Sequence, residues 1–482
     1  MPEFQYDLAV VGGGPGGVTA ATAAAMRGKK VALISSEDLM GYGLEGAYKS
    51  KTLYEVAREF WAVRSRWQVA IQGATVNFAG IYEANSAGAD HLRRVHADQL
   101  RDMGIDLITG YAKFADPHTL NVGDLSVSAD RIVIATGTRP RVVGGIKVDG
   151  FHIMTSDHIV NVDRQIGSIL VLGAGVIGCE FASIFAALGS AVTLVDTKPK
   201  IFNHDDDDIS QELTKTLRSM HVDIRANCRS TSIEVGDDGK VHSVLTDGTE
   251  VITDAVLLAI GRIPNTDGIN IEAAGVELND WGYVKTESCM VTNVPHIYAV
   301  GDVGFRDDEN DLCLVHVAEA EGRAAARHMV EPESCLTTSH VPFIVFTLPM
   351  VAGAGLNERA ARKKYGDGVR VGKYAHVRNS RAHCMQAPQG FVKLIVAPSP
   401  DDTVLGTRGV GAGVDVICGE VSVMIEHQLP YTYLLDSIHA HPSMSESLQG
   451  AALIISGEKM DYHVFDEAAP HLTGLHTRII KP

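Results

Sequence analysis

Two glycine clusters make the clearest chemical demand in this chain. Gly12, Gly14 and Gly17 follow the apolar run Tyr6 to Val11, and Gly173, Gly175 and Gly178 follow the apolar run Ile169 to Leu172. Both have G-x-G-x-x-G spacing, and each opens into a helical stretch, Val18 to Met26 in one copy and as far as Leu188 in the other. The first glycine permits a tight turn, the second lets the main chain approach a pyrophosphate, and the third lets helix pack on strand. The helix N-terminus then faces the phosphates. One such motif is a weak signal; two copies in strand, turn and helix context imply two dinucleotide sites.

The strand after each cluster ends where an adenosine ribose is normally bound. In the second copy that residue is Asp196, a carboxylate suited to ribose hydroxyls and unsuited to a 2′-phosphate, which favours NAD(H). Lys198 and Lys200 follow closely and keep NADP(H) open. In the first copy the position holds Ser35, whose hydroxyl offers one ribose hydrogen bond, with Glu37 as a second candidate.

These sites need room. The 482 residues suggest about three domains at roughly 150 residues each. A hydrophobic share of 45% and a charged share of 21% exclude a disordered or fibrous chain. The net charge of −17 repels phosphate polymers and argues against nucleic acid as a partner. No apolar run reaches the roughly 18 residues of a membrane helix, and the N-terminus does not read as a signal peptide, so the expectation is a cytoplasmic protein without membrane contact. Seven scattered cysteines, never in C-x-x-C or C-x4-C spacing, argue against a disulfide scaffold, a zinc cluster or a local dithiol pair. His439 and His441 lack an evident third ligand, so no metal is expected.

Three further segments, Ile132 to Gly137, Ala259 to Asn265 and Ile297 to Asp302, resemble strand ends of the flavoproteins with two dinucleotide-binding domains. More narrowly, residues 5 to 455 resemble the pyridine nucleotide-disulfide oxidoreductases. The resemblance implies an α/β fold with two Rossmann-like domains: an FAD domain over 1–150 and 275–340, and an NAD(P) domain over 151–274. A C-terminal α+β dimerisation domain would occupy 341–482. It also implies a homodimer, because family members borrow active-site residues from the partner's C-terminal domain.

Carried over by position, Gly12, Gly14 and Gly17 would hold the FAD pyrophosphate, Asp302 the ribityl chain, and Ala112 the adenine. Thr136, Gly137, Gly261 and Gly301 join the cofactor-binding set, while Gly173, Gly175 and Gly178 would hold the NAD(P) pyrophosphate. Lys51 aligns with the family's lysine beside flavin N5, and Glu180 with its carboxylate partner. A cation there stabilises charge developing on the flavin, and a carboxylate fixes the cation. Val176 stands where an aromatic residue often covers the flavin, and Cys313 is expected as a small buried hydrophobe nearby.

The sequence departs from the family just before Lys51, where Tyr42 and Ala47 occupy the two positions that carry redox cysteines. A phenol and a methyl group cannot do thiolate chemistry. The expectation is therefore a family member without the redox-active pair, passing hydride from NAD(P)H through flavin to a non-disulfide small molecule such as a quinone. Tyr42 would stack on the acceptor or hydrogen-bond to it, in space left by Ala47. His441 and Glu446 resemble the family's acid/base pair and would supply a proton. The alternatives are a soluble pyridine nucleotide transhydrogenase, a dihydrolipoamide dehydrogenase-like enzyme acting on a substrate dithiol, and a catalytically silent flavin-binding component of a complex.

Overall fold

Continuous apolar runs, rather than alternating ones, mark strands that are covered on both faces. β1 (Tyr6–Val11) buries Leu8, Ala9, Val10 and Val11, and pairs in parallel with β2 (Val31–Ser35) and with the strand Leu125–Ile134. Asp106–Thr109 extends the parallel set beyond β2. Ile297–Ala299 joins the end of Leu125–Ile134 in parallel, and Thr119–Val122 and Ala112–Asp116 continue the sheet antiparallel. The computed structural model describes residues 3–36, 39–65, 74–287, 289–305, 313–335 and 340–458.

Helix α1 (Pro15–Ala25) is the crossover between β1 and β2, and its small residues let the helix Val315–His328 press closely against it. A methyl group on Gly322 would sit 2.3 Å from the carbonyl oxygen of Gly16. A second, fully parallel sheet repeats the plan, in the order Asp223–Arg225, Ala191–Val195, Ser168–Leu172, Ala255–Leu258 and Ile153–Thr155. Its crossover helix, Val176–Ala187, is almost wholly buried.

The chain divides into two compact units, Met1–Val341 with Val345–Leu348, and Pro342–Ile344 with Pro349–Pro482. The first contains both parallel sheets. In the second, five strands form an antiparallel sheet in the order Phe343–Val345, Val351–Gly355, Val404–Gly411, Gly390–Val396 and Arg370–Ala375. Helices Val416–Glu426 and Glu446–Ser456 pack on it. Among the described residues no helix is long and apolar enough to cross a membrane.

One expectation is overturned at this level. The cysteines do not stay apart: Cys289 and Cys335 form a disulfide, their Cα atoms 4.6 Å apart although 46 residues separate them in sequence. Local spacing carried no sign of the pair because the fold, and not a motif, brings the two together.

The second unit contains a pH-dependent element. His376 is fully buried, and burial pushes its imidazole down to about 4. Its Nδ1 lies 3.2 Å from the Gln389 carbonyl, which only accepts, so Nδ1 carries the proton and Nε2 is left buried without a hydrogen-bond partner. The unfolded chain protonates this ring at about 6.5 and the folded one only near 4. Its contribution to stability is therefore complete above the unfolded value and is lost as pH falls toward the folded one, by roughly 3 kcal/mol. Urea unfolding should show a midpoint falling between pH 7 and about pH 4.5, and His376→Gln should remove most of that ring's share of the fall.

Candidate active site

The two glycine turns have the same construction. Gly12 and Gly173 take φ of +111° and +100°, and a Cβ on either would lie 2.3 Å from a main-chain oxygen of the adjoining segment, that of Ala135 or Ala259. Gly17 and Gly178 lie against the carbonyls of Gly12 and Gly173, so helix and strand close up. Gly14 and Gly175, by contrast, have nothing within 4 Å of a built Cβ. Each turn thus presents one bare main-chain surface at a helix N-terminus, the geometry a pyrophosphate requires.

At the strand ends the two copies diverge. The Asp196 carboxylate accepts from the Ala174 N–H at 2.5 Å and from the Lys198 N–H at 2.7 Å, so it is locked beside the second turn. The Lys200 ammonium is held by Asp207 at 2.6 Å. In the first copy the Ser35 hydroxyl lies directly under Gly13, while Glu37 lies outside the described residues. Ala112 is buried at the start of its strand, close in sequence to Gly110 with φ of +147°.

Asp302 sits in the short turn Gly301–Val303, and that turn is held by a residue the sequence reading missed. Glu321, buried on the helix Val315–His328, accepts the Gly301 N–H at 2.6 Å. Burial pushes the Asp302 carboxyl up, opposed by hydrogen bonds from Thr138 and Cys313 and by the Arg262 charge. The Thr138 hydroxyl donates to it at 3.0 Å and in turn accepts from Arg262 Nε at 2.8 Å. Cys313 is therefore exposed and engaged with Asp302, not a buried hydrophobe.

Arg262 is the second missed residue. Its guanidinium carbon stands 4.2 Å over the Tyr42 ring, and burial pushes the Tyr42 phenol up while Arg262 and Ser156 pull it down. Tyr42 directly precedes a wide helical turn, Gly43–Tyr48, that contains Ala47. A side chain on Gly46 would strike the Tyr42 ring, so glycine there makes the stacking possible. The only direct sequence signal for Arg262 is its position in the strand-end motif that also contains Gly261.

Helix α2 (Lys49–Ser65) begins where that turn ends and carries Lys51. Its ammonium lies 3.3 and 3.5 Å from the two Glu180 oxygens and 4.7 Å over the Phe346 ring. Glu180 is buried and also accepts the Phe346 N–H at 2.8 Å. The structure thus brings together the cation and carboxylate that the sequence placed 129 residues apart. Val176, at the start of the Glu180 helix, is exposed.

In the second unit His441 Nδ1 lies 2.8 Å from Glu446 Oε1, and the other carboxylate oxygen accepts the Ser443 N–H at 2.8 Å. Nδ1 therefore donates to the carboxylate, and Nε2 of this largely exposed side chain is left to exchange a proton. His439 is tied to Glu420 instead, so these two histidines do not converge.

The residues fit FAD. The bare Gly14 surface accommodates a pyrophosphate. Thr136 Oγ1 and Arg262 Nη1 are buried polar atoms without a protein partner among the described residues. Asp302, pushed up by burial, is placed to meet sugar-like hydroxyls. Two cradles of this kind, joined by a buried carboxylate and its lysine, define a flavoprotein oxidoreductase with two dinucleotide sites. Residues 6–322 match the pyridine nucleotide-disulphide oxidoreductase model, and residues 341–452 match the dimerisation domain of the same family.

The chain belongs to that family and is an FAD-dependent, NAD(P)-linked enzyme. Dihydrolipoyl dehydrogenase of Bacillus subtilis is 30% identical over 459 residues, covering 93% of this chain and 98% of that protein. Dihydrolipoyl dehydrogenase of Mycobacterium tuberculosis is 34% identical over 460 residues, covering 92% and 97%. The structure of the HOCl-induced flavoprotein disulfide reductase RclA from Escherichia coli superposes with a TM-score of 0.83 at 28% identity, over 93% of this chain and 100% of that one.

Two expectations are corrected by these findings. A member lacking its cysteine pair is overturned by the Cys289–Cys335 disulfide, carried at the far end of the helix Val315–His328 and not in the turn that holds Tyr42 and Ala47. Hydride delivery to a non-disulfide acceptor is overturned by that disulfide and by relatives whose names specify dithiol and disulfide chemistry. Tyr42 and Ala47 exclude sulfur only from their own turn, whereas the disulfide joins cysteines 46 residues apart that share no local spacing.

Lys51→Met should leave flavin content unchanged and slow flavin reduction by NADH about 100-fold, measured by anaerobic stopped-flow bleaching. Unchanged rates would remove Lys51 from the chemistry.

Proposed function

We propose that this enzyme interconverts a small dithiol and its cyclic disulfide at the expense of NAD+ and NADH, in the manner of a dihydrolipoyl dehydrogenase. In the oxidising direction, dithiol and NAD+ give disulfide, NADH and one proton. The observation that carries this reading is the His441–Glu446 pair, 2.8 Å apart with Nε2 left over. Oxidising two thiols releases two protons, and only the thiolate form gives up its electrons readily. The relatives' names and their coverage of nearly the whole chain support the same chemistry.

When bound, FAD supplies hydride exchange with the nicotinamide. This chain's residues do the rest. The Gly12 and Gly173 turns would hold the two pyrophosphates, Asp302, fixed by Thr138, would hold the ribityl hydroxyls, and Asp196 would favour NAD(H) through the ribose. Lys51, fixed by Glu180 and Phe346, places positive charge where negative charge develops. His441 Nε2 accepts the thiol proton, and Glu446 stabilises the imidazolium that results. The enzyme works as a homodimer, the association that its dimerisation domain serves.

FAD-loaded enzyme should reduce NAD+ with dihydrolipoamide as the dithiol. His441→Gln should lower that rate by roughly 100-fold or more while leaving flavin reduction by NADH intact. Absence of any dithiol turnover by the wild type would end the proposal.

A further inference from the structure

The disulfide has a neighbour that the activity does not use. Cys289 sits in a tight turn closed by the Met290 N–H to the Glu287 carbonyl at 2.9 Å, with Met290 at φ of +64°. Cys335 lies just past the helix Val315–His328, where the Ser334 N–H bonds to the Glu331 carbonyl. His328 ends that helix. The two sulfurs and a ring nitrogen of His328 all lie within 4.8 Å of one another.

His328 is held in place from behind. Its Nδ1 lies 3.1 Å from the Tyr298 hydroxyl, and the two rings meet edge to face. Tyr298 is buried in the central sheet and receives Arg131 Nη1 at 3.4 Å. The Tyr298 contact fixes the orientation of a ring that has a nitrogen within reach of both sulfurs, and an outer partner that orients the imidazole is what metal-binding histidines commonly have. The cluster lies two helical turns beyond Glu321, roughly 10 Å along the axis, so it is separate from the turn that positions Asp302.

We propose that Cys289, Cys335 and His328 form a thiol-gated site for a thiophilic d10 cation, Zn2+ being the probe. In the oxidised chain the sulfurs are bonded to each other and the site is closed. A small dithiol opens it: its thiolate attacks one cysteine sulfur and expels the other cysteine as a thiolate. Its second thiol then attacks the reductant sulfur of the mixed disulfide and expels the first cysteine, and the reductant leaves as a cyclic disulfide with its two protons passed to the cysteines. Binding Zn2+ then releases those two protons and forms two Zn–S bonds and one Zn–N bond. Two sulfurs and one imidazole suit zinc and leave a position for water. The dithiols this enzyme is proposed to handle are reductants of the required class, which would couple the site to substrate supply. The metal site itself stands on geometry and does not depend on that reading.

The test uses full-length, FAD-loaded protein, oxidised or reduced with a small dithiol that is then removed by gel filtration. Reduction should raise the titratable thiols from five to seven. Competition with a colorimetric chelator should show one Zn2+ per reduced chain that is absent from the oxidised chain, with sulfur and nitrogen neighbours at the zinc absorption edge. Cys335→Ser and His328→Gln should lose that binding. Tyr298→Phe, which keeps the core volume, should retain the stoichiometry with roughly 10- to 100-fold weaker affinity. A disulfide that the dithiol cannot reduce, equal uptake by oxidised and reduced chains, no uptake at all, or wild-type affinity in Cys335→Ser would each overturn the proposal.

Discussion

The buried carboxylate of Glu180 is the constraint on which the active-site arrangement depends. It lies on the crossover helix of the second parallel sheet, yet its partners are Lys51 on α2 and the main-chain N–H of Phe346. The buried carboxylate is compensated by both partners, and because the Lys51 side chain is 34% exposed the ion pair is worth less than a fully buried one, with the Phe346 N–H carrying the desolvated side of the group. The same bond that tunes Lys51 therefore also ties the two nucleotide-binding halves of the first unit together. Structure and chemistry are satisfied by one hydrogen-bonded group.

The helix Val315–His328 does two jobs along its length. Near its middle, Glu321 holds the Gly301 turn and so sets where Asp302 stands. At its end, His328 meets a disulfide whose halves come from either side of the helix in sequence. Close packing through Gly322 against Gly16 fixes the helix relative to the first glycine turn. A shift of this helix would alter the Asp302 site and the sulfur cluster together.

The remaining cysteines show why exposure and partners matter more than their number. Cys179 and Cys418 are buried, and burial pushes both thiols up, Cys418 to about 11. They behave as small apolar residues. Cys289 and Cys335 differ because main-chain geometry brings them to bonding distance beside an imidazole, and sulfur chemistry follows proximity.

Much was legible in the sequence because it is local. The glycine spacing dictated both turns, since a positive φ and a helix packed on a carbonyl are demands made within a few residues. His441 and Glu446 stand five positions apart and meet across one short loop. What tertiary structure alone decided are contacts between distant segments: Arg262 over Tyr42, Glu321 on Gly301, and above all Cys289 bonded to Cys335. Each depends on where sheets and helices carry residues that share no motif, and neither spacing nor composition reports such a meeting. That is why the family and its nucleotide cradles could be read from the chain, while its sulfur chemistry was misjudged until the fold put the two cysteines side by side.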